Sequence, residues 1–235
     1  MKALVLGATG MVGESIVEHL ARSGNQTIGV SRRSGKDGDW LTADLTEPDA
    51  LQLPEVDVMF SAVPTRLLAD ASRAVLRSKP KRIVVMSSTN VFTKIDSRDE
   101  NERASILALI DAEKRIIDQC KALGIEWTIL RPTLVYKEGR DHNVSQIAGV
   151  IRRFGFMPLY GAASGLRQPV HADDLAIGAI AAAKSAKAAN NSYCASGIET
   201  VPYHEMVGRI FDGLSRRRRL LHVPPSLWKW AFSLA

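Results

Sequence analysis

The sequence predicts an α/β protein built on a doubly wound parallel sheet, and two observations carry that prediction. The first is at the amino terminus, where the apolar run Lys2–Leu6 leads through a glycine-rich turn, residues 7–13, into a helical pattern. The second is the alternation of strand-like runs with helical patterns that follows. Strands that alternate with helices predict a parallel sheet with helices on both faces.

The elements of this sheet can be assigned in order. The predicted strands after the first are Thr27–Val30, Val56–Ala62, Arg82–Met86 and Trp127–Leu130. The predicted helices between them include Leu67–Arg77 and Ser105–Leu123. Ligands of such sheets lie outside the carboxyl ends of the strands, so we expect the turns after these strands to converge on one crevice. Those turns follow Leu6, Val30, Ala62, Met86 and Leu130.

The sequence pattern changes after Arg131: the predicted elements become shorter, and glycine and proline become more frequent. This change predicts a smaller lobe over the crevice. Its predicted helices are Asn143–Arg153, Asp173–Lys184 and Tyr203–Leu214, with strands at Ser192–Ala195 and Leu220–Val223. We predict a Rossmann-type domain over residues 1–135 and a smaller substrate lobe over residues 136–235. In an alternative that stays open, some segments after residue 135 return to the sheet of the Rossmann-type domain.

Composition limits the class of protein. The chain has 235 residues, 46% hydrophobic and 24% charged, as expected of a soluble globular protein. Cys120 and Cys194 have no metal-type spacing, so we expect reduced thiols, no metal site and a cytoplasmic location. No export signal and no apolar run of membrane-spanning length is visible.

The net charge of +6 raises the question of a nucleic-acid partner. The densest basic run, residues 216–219, leads directly into a predicted strand and has no aromatic residues interleaved. We therefore expect no nucleic-acid partner. A phosphate-bearing small molecule suits scattered arginines better.

The glycine-rich turn predicts a dinucleotide site. Gly7 permits a tight turn, Gly10 lets backbone N–H groups approach a pyrophosphate, and Gly13 lets the helix pack on the strand. The pyrophosphate would then lie at the positive end of the helix. The predicted cofactor-binding residues here are Gly7, Thr9, Gly10, Met11, Val12 and Gly13.

The end of the second strand indicates which cofactor is preferred. An NAD site places a carboxylate there for the ribose hydroxyls, whereas an NADP site places cations for the 2′-phosphate. This chain has Ser31, Arg32 and Arg33, with no acid before Asp37. We predict NADP in preference to NAD, against the alternative that this is a solvated basic loop.

Several further motifs point to one superfamily. They are Asp44-Leu45, Ser87-Ser88-Thr89, Lys114 on the following helix, Arg131-Pro132-Thr133, and the segment from Arg167 to Ala176. With the glycine turn, they make the chain resemble the extended or atypical short-chain dehydrogenases/reductases, close to nucleoside-diphosphate-sugar epimerases and dehydratases. Extended members usually continue beyond the point where this chain stops, so we expect a shortened substrate lobe.

The resemblance implies the remaining site residues. Asp44 would bind the adenine amino group, and residues 62–64 would line the adenosine channel. The implied cofactor-binding set is Asp44, Leu45, Ala62, Val63, Pro64, Ser87, Lys114, Pro132 and Thr133. The implied substrate-binding set is Tyr136, His142, Asn143 and Arg167, with Arg167 on a substrate diphosphate. The acids in His171-Ala172-Asp173-Asp174 are interpreted as helix-entry residues rather than metal ligands.

Catalysis is where the chain departs from the family. Its chemistry needs a tyrosine four residues before the lysine to move a proton, and that position is Ile110. Thr89 and Lys114 remain as the family's substrate-orienting hydroxyl and ribose-binding lysine. Thr89 could equally cap a turn, and Lys114 could be an exposed helix lysine. Asp141 and His142 are the nearby candidates for a replacement acid or base.

Two functions follow from these residues. One is an NADP-dependent oxidoreductase or epimerase-like enzyme that acts on a nucleotide sugar or related carbonyl compound without a tyrosine. The other is a non-catalytic NADP(H)-binding regulator or scaffold. A small-molecule substrate is expected in the first case, and a homodimer is compatible with both.

Overall fold

The computed structural model describes residues 1–33 and 39–224. The chain divides into two compact units. Unit 1 consists of Met1–Thr133 and Ala172–Ala195, and unit 2 consists of Leu134–His171 and the residues from Ser196 onward.

Unit 1 is built on a seven-stranded parallel sheet. Its strands are β1 (Lys2–Leu6), β2 (Gln26–Ser31), β3 (Asp39–Thr42), β4 (Val58–Ser61), β5 (Arg82–Met86), β6 (Glu126–Pro132) and β11 (Asn191–Ala195). They are arranged in the order β11-β6-β5-β4-β1-β2-β3. The strand order reverses beside β1, and the ligand crevice of doubly wound sheets lies at this point. The predicted fold class is confirmed.

The helices of unit 1 are α1 (Met11–Arg22), α2 (Thr65–Val75), α3 (Asn90–Thr93), α4 (Glu100–Leu123) and α6 (Ala172–Lys184). Leu4 and Leu6 belong to the same buried cluster as residues of α2 and α4. Alternation along the strand directs Ala3 and Val5, both fully buried, to the opposite face of the sheet. Burial on both faces explains why β1 is a continuous apolar run.

Helix α4 begins earlier than its apolar pattern predicts. The Asp99 carboxylate accepts hydrogen bonds from the backbone N–H groups of Asn101 (2.9 Å) and Glu102 (3.2 Å), which fixes the start of the helix at Glu100. The helix ends at Leu123 and is followed by Gly124, whose φ of 66° suits a helix terminus. The predicted start, Ser105, is five residues too late, because the first turn of the helix is polar and is stabilised by the Asp99 cap rather than by apolar packing.

Two elements predicted for the lobe belong to unit 1 instead. β11 pairs in parallel with β6, and α6 packs against α1. The buried guanidinium of Arg82 explains the position of α6, because its Nη1 donates to the carbonyl oxygens of Ala182 (2.9 Å), Ala183 (3.1 Å) and Ser185 (2.6 Å). It thereby satisfies carbonyls at the helix's carboxyl end. Asp173–Lys184 and Ser192–Ala195 thus lie in unit 1 rather than in the lobe, which corresponds to the alternative that later segments return to the main sheet.

Unit 2 is smaller, and its described residues form three two-stranded sheets. Its strands are β7 (Leu134–Tyr136), β8 (Met157–Tyr160), β9 (Leu166–Arg167), β10 (Pro169–His171), β12 (Val201–Pro202) and β13 (Leu220–Val223), and its helices are α5 (Val144–Phe154) and α7 (Tyr203–Gly213). The sheets pair β10 with β7, β12 with β9, and β13 with β8. Its core contains Ile147, Ile151, Val207 and Phe211 from the two helices.

In the described residues 1–33 and 39–224, no helix is both long enough and apolar enough to cross a membrane. The same part of the chain holds no group of three or more His, Cys, Asp or Glu side chains arranged to hold a metal ion. Asp173 and Asp174 lie in the first turn of α6, as the helix-entry interpretation predicted.

Candidate dinucleotide site in unit 1 and cavities in unit 2

The glycine turn after β1 has the geometry that its sequence predicts. Gly7 has a φ of 74°, a conformation that side chains disfavour. Its N–H and that of Ala8 both donate to the carbonyl oxygen of Val30, at 2.9 and 3.2 Å. The turn is therefore fastened to the carboxyl end of β2.

Close packing explains the last glycine of the turn. A Cβ at Gly13 would lie 2.2 Å from the carbonyl oxygen of Gly7, so only glycine allows α1 to approach this closely. The backbone N–H groups of Met11, Val12 and Gly13 begin α1, where the helix offers them no acceptor. These N–H donors, next to a turn that has glycine at positions 7, 10 and 13, fit a pyrophosphate.

The loop after β4 flanks the glycine turn. A Cβ at Gly7 would lie 3.0 Å from Val63 Cγ1 and 3.1 Å from the carbonyl oxygen of Ala62. Pro64 is exposed beside them, immediately before α2. Three predicted residues, Ala62, Val63 and Pro64, thus lie at the glycine turn.

The end of β2 carries the two arginines proposed to select the cofactor. Arg32 and Arg33 are both exposed. The Ser31 hydroxyl donates to the backbone carbonyl of Arg33, so it is committed to its own loop. Asp37, the first acid after these arginines, lies outside the described residues.

Asp44 lies close enough to Arg32 for their charges to interact. Hydrogen bonds from the backbone and hydroxyl of Thr46, at 2.9 and 2.8 Å, hold the pKa of Asp44 below its usual value, and the charge of Arg32 acts in the same direction. The carboxylate is therefore charged and already anchored on one oxygen. Leu45, in contrast, is buried in the core and can line a site only through its backbone.

The turn after β5 is tied to the end of β6. Thr89 donates its N–H and its hydroxyl to the carbonyl oxygen of Pro132, at 3.0 and 3.1 Å. The Ser88 hydroxyl accepts the N–H of Asn90 at the start of α3. Thr89 is thus engaged with the backbone, although its hydroxyl does not cap α3.

Glu113 and Arg131 form a buried ion pair that the sequence did not reveal. Arg131 Nε donates to both carboxylate oxygens of Glu113 (3.0 and 3.2 Å), and its Nη2 lies 2.5 Å from Oε2. The Ser87 hydroxyl donates to the same carboxylate, and Arg131 Nη1 donates to Ser192 Oγ at 3.0 Å. The side chains are 6% and 16% exposed, and the pair raises the pKa of Arg131. Ser87 is therefore held through its side chain.

One signal could have found this pair. Glu113 continues the buried series of Ile106, Ile116 and Cys120 along α4, so it is a carboxylate at an apolar-face position. A buried carboxylate requires a cationic partner. The sequence could not identify that partner, because Arg131 is 18 positions away on β6.

Lys114 and Ile110 lie one turn apart on α4. Lys114 is exposed and forms no ion pair with any residue that the structure describes. Ile110 is half-buried and supplies no group that could move a proton. The spacing of the family's tyrosine and lysine is thus preserved without its acid–base function.

In unit 2, three of the four predicted substrate residues line one cavity. His142, Asn143 and Arg167 surround a space of about 410 Å³ together with Tyr203 and other residues. The Arg167 guanidinium lies 5.4 Å from the centre of the Tyr203 ring. Tyr136 lines a different cavity, so it does not join this group.

Asp141 is not a free acid or base. Its carboxylate accepts hydrogen bonds from the N–H groups of Asn143 (2.8 Å) and Ser145 (3.2 Å) and from the Ser145 hydroxyl (2.5 Å). Burial favours the neutral acid, but these hydrogen bonds outweigh it and hold the pKa of Asp141 below its usual value. Asp141 therefore caps the start of α5.

The sheet, its switch point and the glycine turn define a dinucleotide-binding Rossmann protein. Residues 7–149 match the NAD(P)H-binding family, and the chain belongs to that family. It is also 22% identical over 95% of its length, and 67% of the relative's, to the mitochondrial NADH dehydrogenase [ubiquinone] 1 alpha subcomplex subunit 9 of Dictyostelium discoideum.

Solved structures share the fold of this chain. The UDP-N-acetylglucosamine 4-epimerase of Bacillus cereus has a TM-score of 0.79 at 20% identity, covering 95% of this chain and 85% of that one. The dTDP-glucose 4,6-dehydratase DesIV of Streptomyces venezuelae has a TM-score of 0.76 at 18% identity, covering 95% and 84%. The MoeE5 complex with UDP-glucose and NAD has a TM-score of 0.76 at 20% identity, and the match covers 95% of this chain and 85% of that one. The predicted resemblance to the extended short-chain dehydrogenase/reductase fold is confirmed.

Proposed function

We propose that the protein binds NADP(H), in preference to NAD(H), at the carboxyl edge of the unit 1 sheet. The observation that carries this proposal is the pair of exposed guanidiniums, Arg32 and Arg33, at the end of β2, where an NAD site would place a carboxylate. The N–H groups at the start of α1 would hold the pyrophosphate, and Asp44, whose charge interacts with that of Arg32, would bind the adenosine. A bound nicotinamide supplies hydride-transfer chemistry.

Comparative titration with NADPH and NADH tests this preference. Replacing Arg32 and Arg33 together by alanine should weaken NADPH binding by roughly 2–4 kcal/mol and leave NADH binding nearly unchanged. Arg22→Ala, at the carboxyl end of α1, is the control and should bind both cofactors normally. Equal affinities of the unaltered protein for NADH and NADPH would contradict the proposal.

We further propose that unit 2 binds a phosphate-bearing small molecule, of which a nucleotide sugar is the leading candidate. The grouping of Arg167, His142 and Asn143 around one cavity supports this, because a planar guanidinium suits a diphosphate. Proteins that share the fold are named for reactions of nucleotide sugars, and the structure of one of them contains UDP-glucose.

UDP-glucose is the probe for the unit 2 cavity. Calorimetry should detect binding that Arg167→Ala weakens at least roughly tenfold, the loss of one charge-assisted contact. Arg216→Ala, an exposed arginine outside the cavity, should change nothing. Absence of UDP-glucose binding by the unaltered protein, or equal losses in both variants, would rule out a nucleotide sugar.

We propose that the protein binds its cofactor without tyrosine-dependent turnover. In unit 1, Ile110 cannot transfer a proton, and the hydroxyls of Ser87 and Thr89 are engaged with Glu113 and Pro132. A regulatory or scaffold role fits this arrangement. The relative from Dictyostelium is itself named as a subunit of a larger enzyme.

The second candidate is an enzyme that uses His142 as a substitute proton carrier. It is favoured by the exposed position of His142 in the same cavity as Arg167. Brisk NADPH oxidation with a carbonyl or nucleotide-sugar substrate, lost in His142→Ala, would establish this second function. Stoichiometric NADPH binding without turnover across such a panel would support the first.

A further inference from the structure

Unit 2 contains a second cavity, of about 480 Å³, between α5 and α7. Val144, Ala148 and Arg152 line it from α5 at four-residue intervals, so they lie on one helix face. Met206 and Ile210 line it from the facing surface of α7. The volume lies within the range of about 300–1,000 Å³ that is typical of small-molecule sites.

The cavity wall is mostly apolar and is built on packed elements; its polar members are Glu138, Ser145, Arg152, Glu199 and Arg209. Besides the residues of the two helices, its walls include Tyr136, Pro169 and Val201. Ile151 on α5 and Phe211 on α7 are fully buried in the core of unit 2, which holds both helices in place. The space therefore belongs to a packed framework and can accept an apolar ligand.

The charged side chains that line this cavity differ in whether another side chain contacts them. Glu138 lies 3.1 Å from His171 Nε2, which balances its charge only when the imidazole is protonated, and Glu199 accepts a hydrogen bond from Arg209 at 2.6 Å. Arg152 is also exposed at the cavity, but it has no ion pair or hydrogen bond with any residue in the described parts of the chain. It is thus a cation without an internal counter-charge beside an apolar space.

We propose that this cavity binds an apolar small molecule with one anionic group, of the class of medium-chain carboxylic acids. The acyl chain occupies the space between Ala148 and Ile210, and the carboxylate pairs with Arg152. Carboxylates match the planar donors of a guanidinium, and the apolar walls favour a hydrocarbon chain. This site is additional to the cofactor site of unit 1 and to the cavity at Arg167.

Binding of decanoate to the full-length protein, below the concentration at which it forms micelles, tests the assignment of Arg152. Calorimetry should show saturable binding of one decanoate per chain. Arg152→Gln should weaken it about two- to fivefold, as expected for a solvent-exposed charge pair. Arg153→Gln is the matched control, because Arg153 is the next residue of α5 and lies over the Phe154 ring instead of in the cavity. Binding of 1-decanol should be the same in both variants.

Filling the space tests the cavity itself. Ala148→Phe should abolish binding of both decanoate and 1-decanol. Gly213→Leu is a second filling variant at a cavity position where a Cβ meets nothing within 4 Å, so it guards against misfolding of the first. Unchanged NADPH affinity in each variant would show an intact unit 1. The proposal is overturned if the unaltered protein shows no saturable decanoate binding, if Arg152→Gln and Arg153→Gln lose affinity equally, or if folded filling variants still bind.

Discussion

The glycines of the turn after β1 differ in what surrounds them. A Cβ at Gly13 would collide with backbone, at 2.2 Å from the Gly7 carbonyl oxygen, whereas a Cβ at Gly10 would meet only that oxygen, at 3.1 Å. Substitution at Gly13 should therefore damage the packing of α1. Substitution at Gly10 should act mainly on the surface proposed for the pyrophosphate.

Gly10→Val is expected to weaken NADPH binding by at least roughly 100-fold, because the branched side chain occupies the space that the pyrophosphate needs. Fluorescence titration measures the affinity, and thermal melting monitors the fold. Gly178→Val is the control, since Gly178 is exposed in α6 with open space around it. A folded Gly10→Val protein with normal NADPH affinity would contradict the location of the site.

Ile110→Tyr should restore part of the proton transfer that the family's tyrosine performs. Positioned acid–base groups contribute typically about 10²–10⁴-fold to rate, and position 110 lies one helical turn before Lys114. We expect any residual NADPH-dependent carbonyl reduction to increase, with cofactor affinity nearly unchanged. Ile110→Phe is the control for ring size. An equal response to tyrosine and phenylalanine would show that the hydroxyl is not used.

At the scale of elements, the ion pair of Glu113 and Arg131 joins α4 to β6. Arg131→Met leaves a buried carboxylate without its cation and should lower the free energy of unfolding by about 3–5 kcal/mol. The exposed pair of Arg115 and Asp70 is the matched control, because its side chains are 47% and 66% exposed. Arg115→Met should cost at most about 1 kcal/mol. Equal losses in urea denaturation would contradict the importance of burial.

Asp141 makes the start of α5 sensitive to acid. Its pKa is lower in the folded protein than in the unfolded chain, so its contribution is complete above the unfolded value of about 3.9 and is lost as pH falls through the folded value. Asp141→Asn should cost about 1–2 kcal/mol at neutral pH and progressively less below pH about 4. Urea denaturation over this range measures the difference. A cost independent of pH would contradict the role of the charge.

At the scale of the whole molecule, the proposed cofactor site lies in unit 1. NADPH at 100 times its dissociation constant should stabilise the folded state by about 2.7 kcal/mol and raise the melting temperature by roughly 5–10 °C. Amide hydrogen exchange should show the added protection mainly in β1, α1 and β2. NADH at the same concentration should protect less. Protection confined to α5 and α7 would contradict the site.

The sequence by itself determined the parallel sheet, the glycine turn and the absence of a tyrosine before Lys114. These depend on local patterns: apolar runs specify buried strands, and the spacing of glycines specifies a tight turn with a close helix. β5 (Arg82–Met86) and β13 (Leu220–Val223) match their predicted bounds for the same reason.

Only the tertiary structure decided which distant segments meet. The return of β11 to the sheet depends on pairing with β6, and the pairing of Glu113 with Arg131 depends on a helix and a strand packing together. The engagement of Asp141 with α5 and the separation of Tyr136 from Arg167 depend on side-chain direction. Such contacts are set by packing and burial across the fold, and no local pattern encodes their partners.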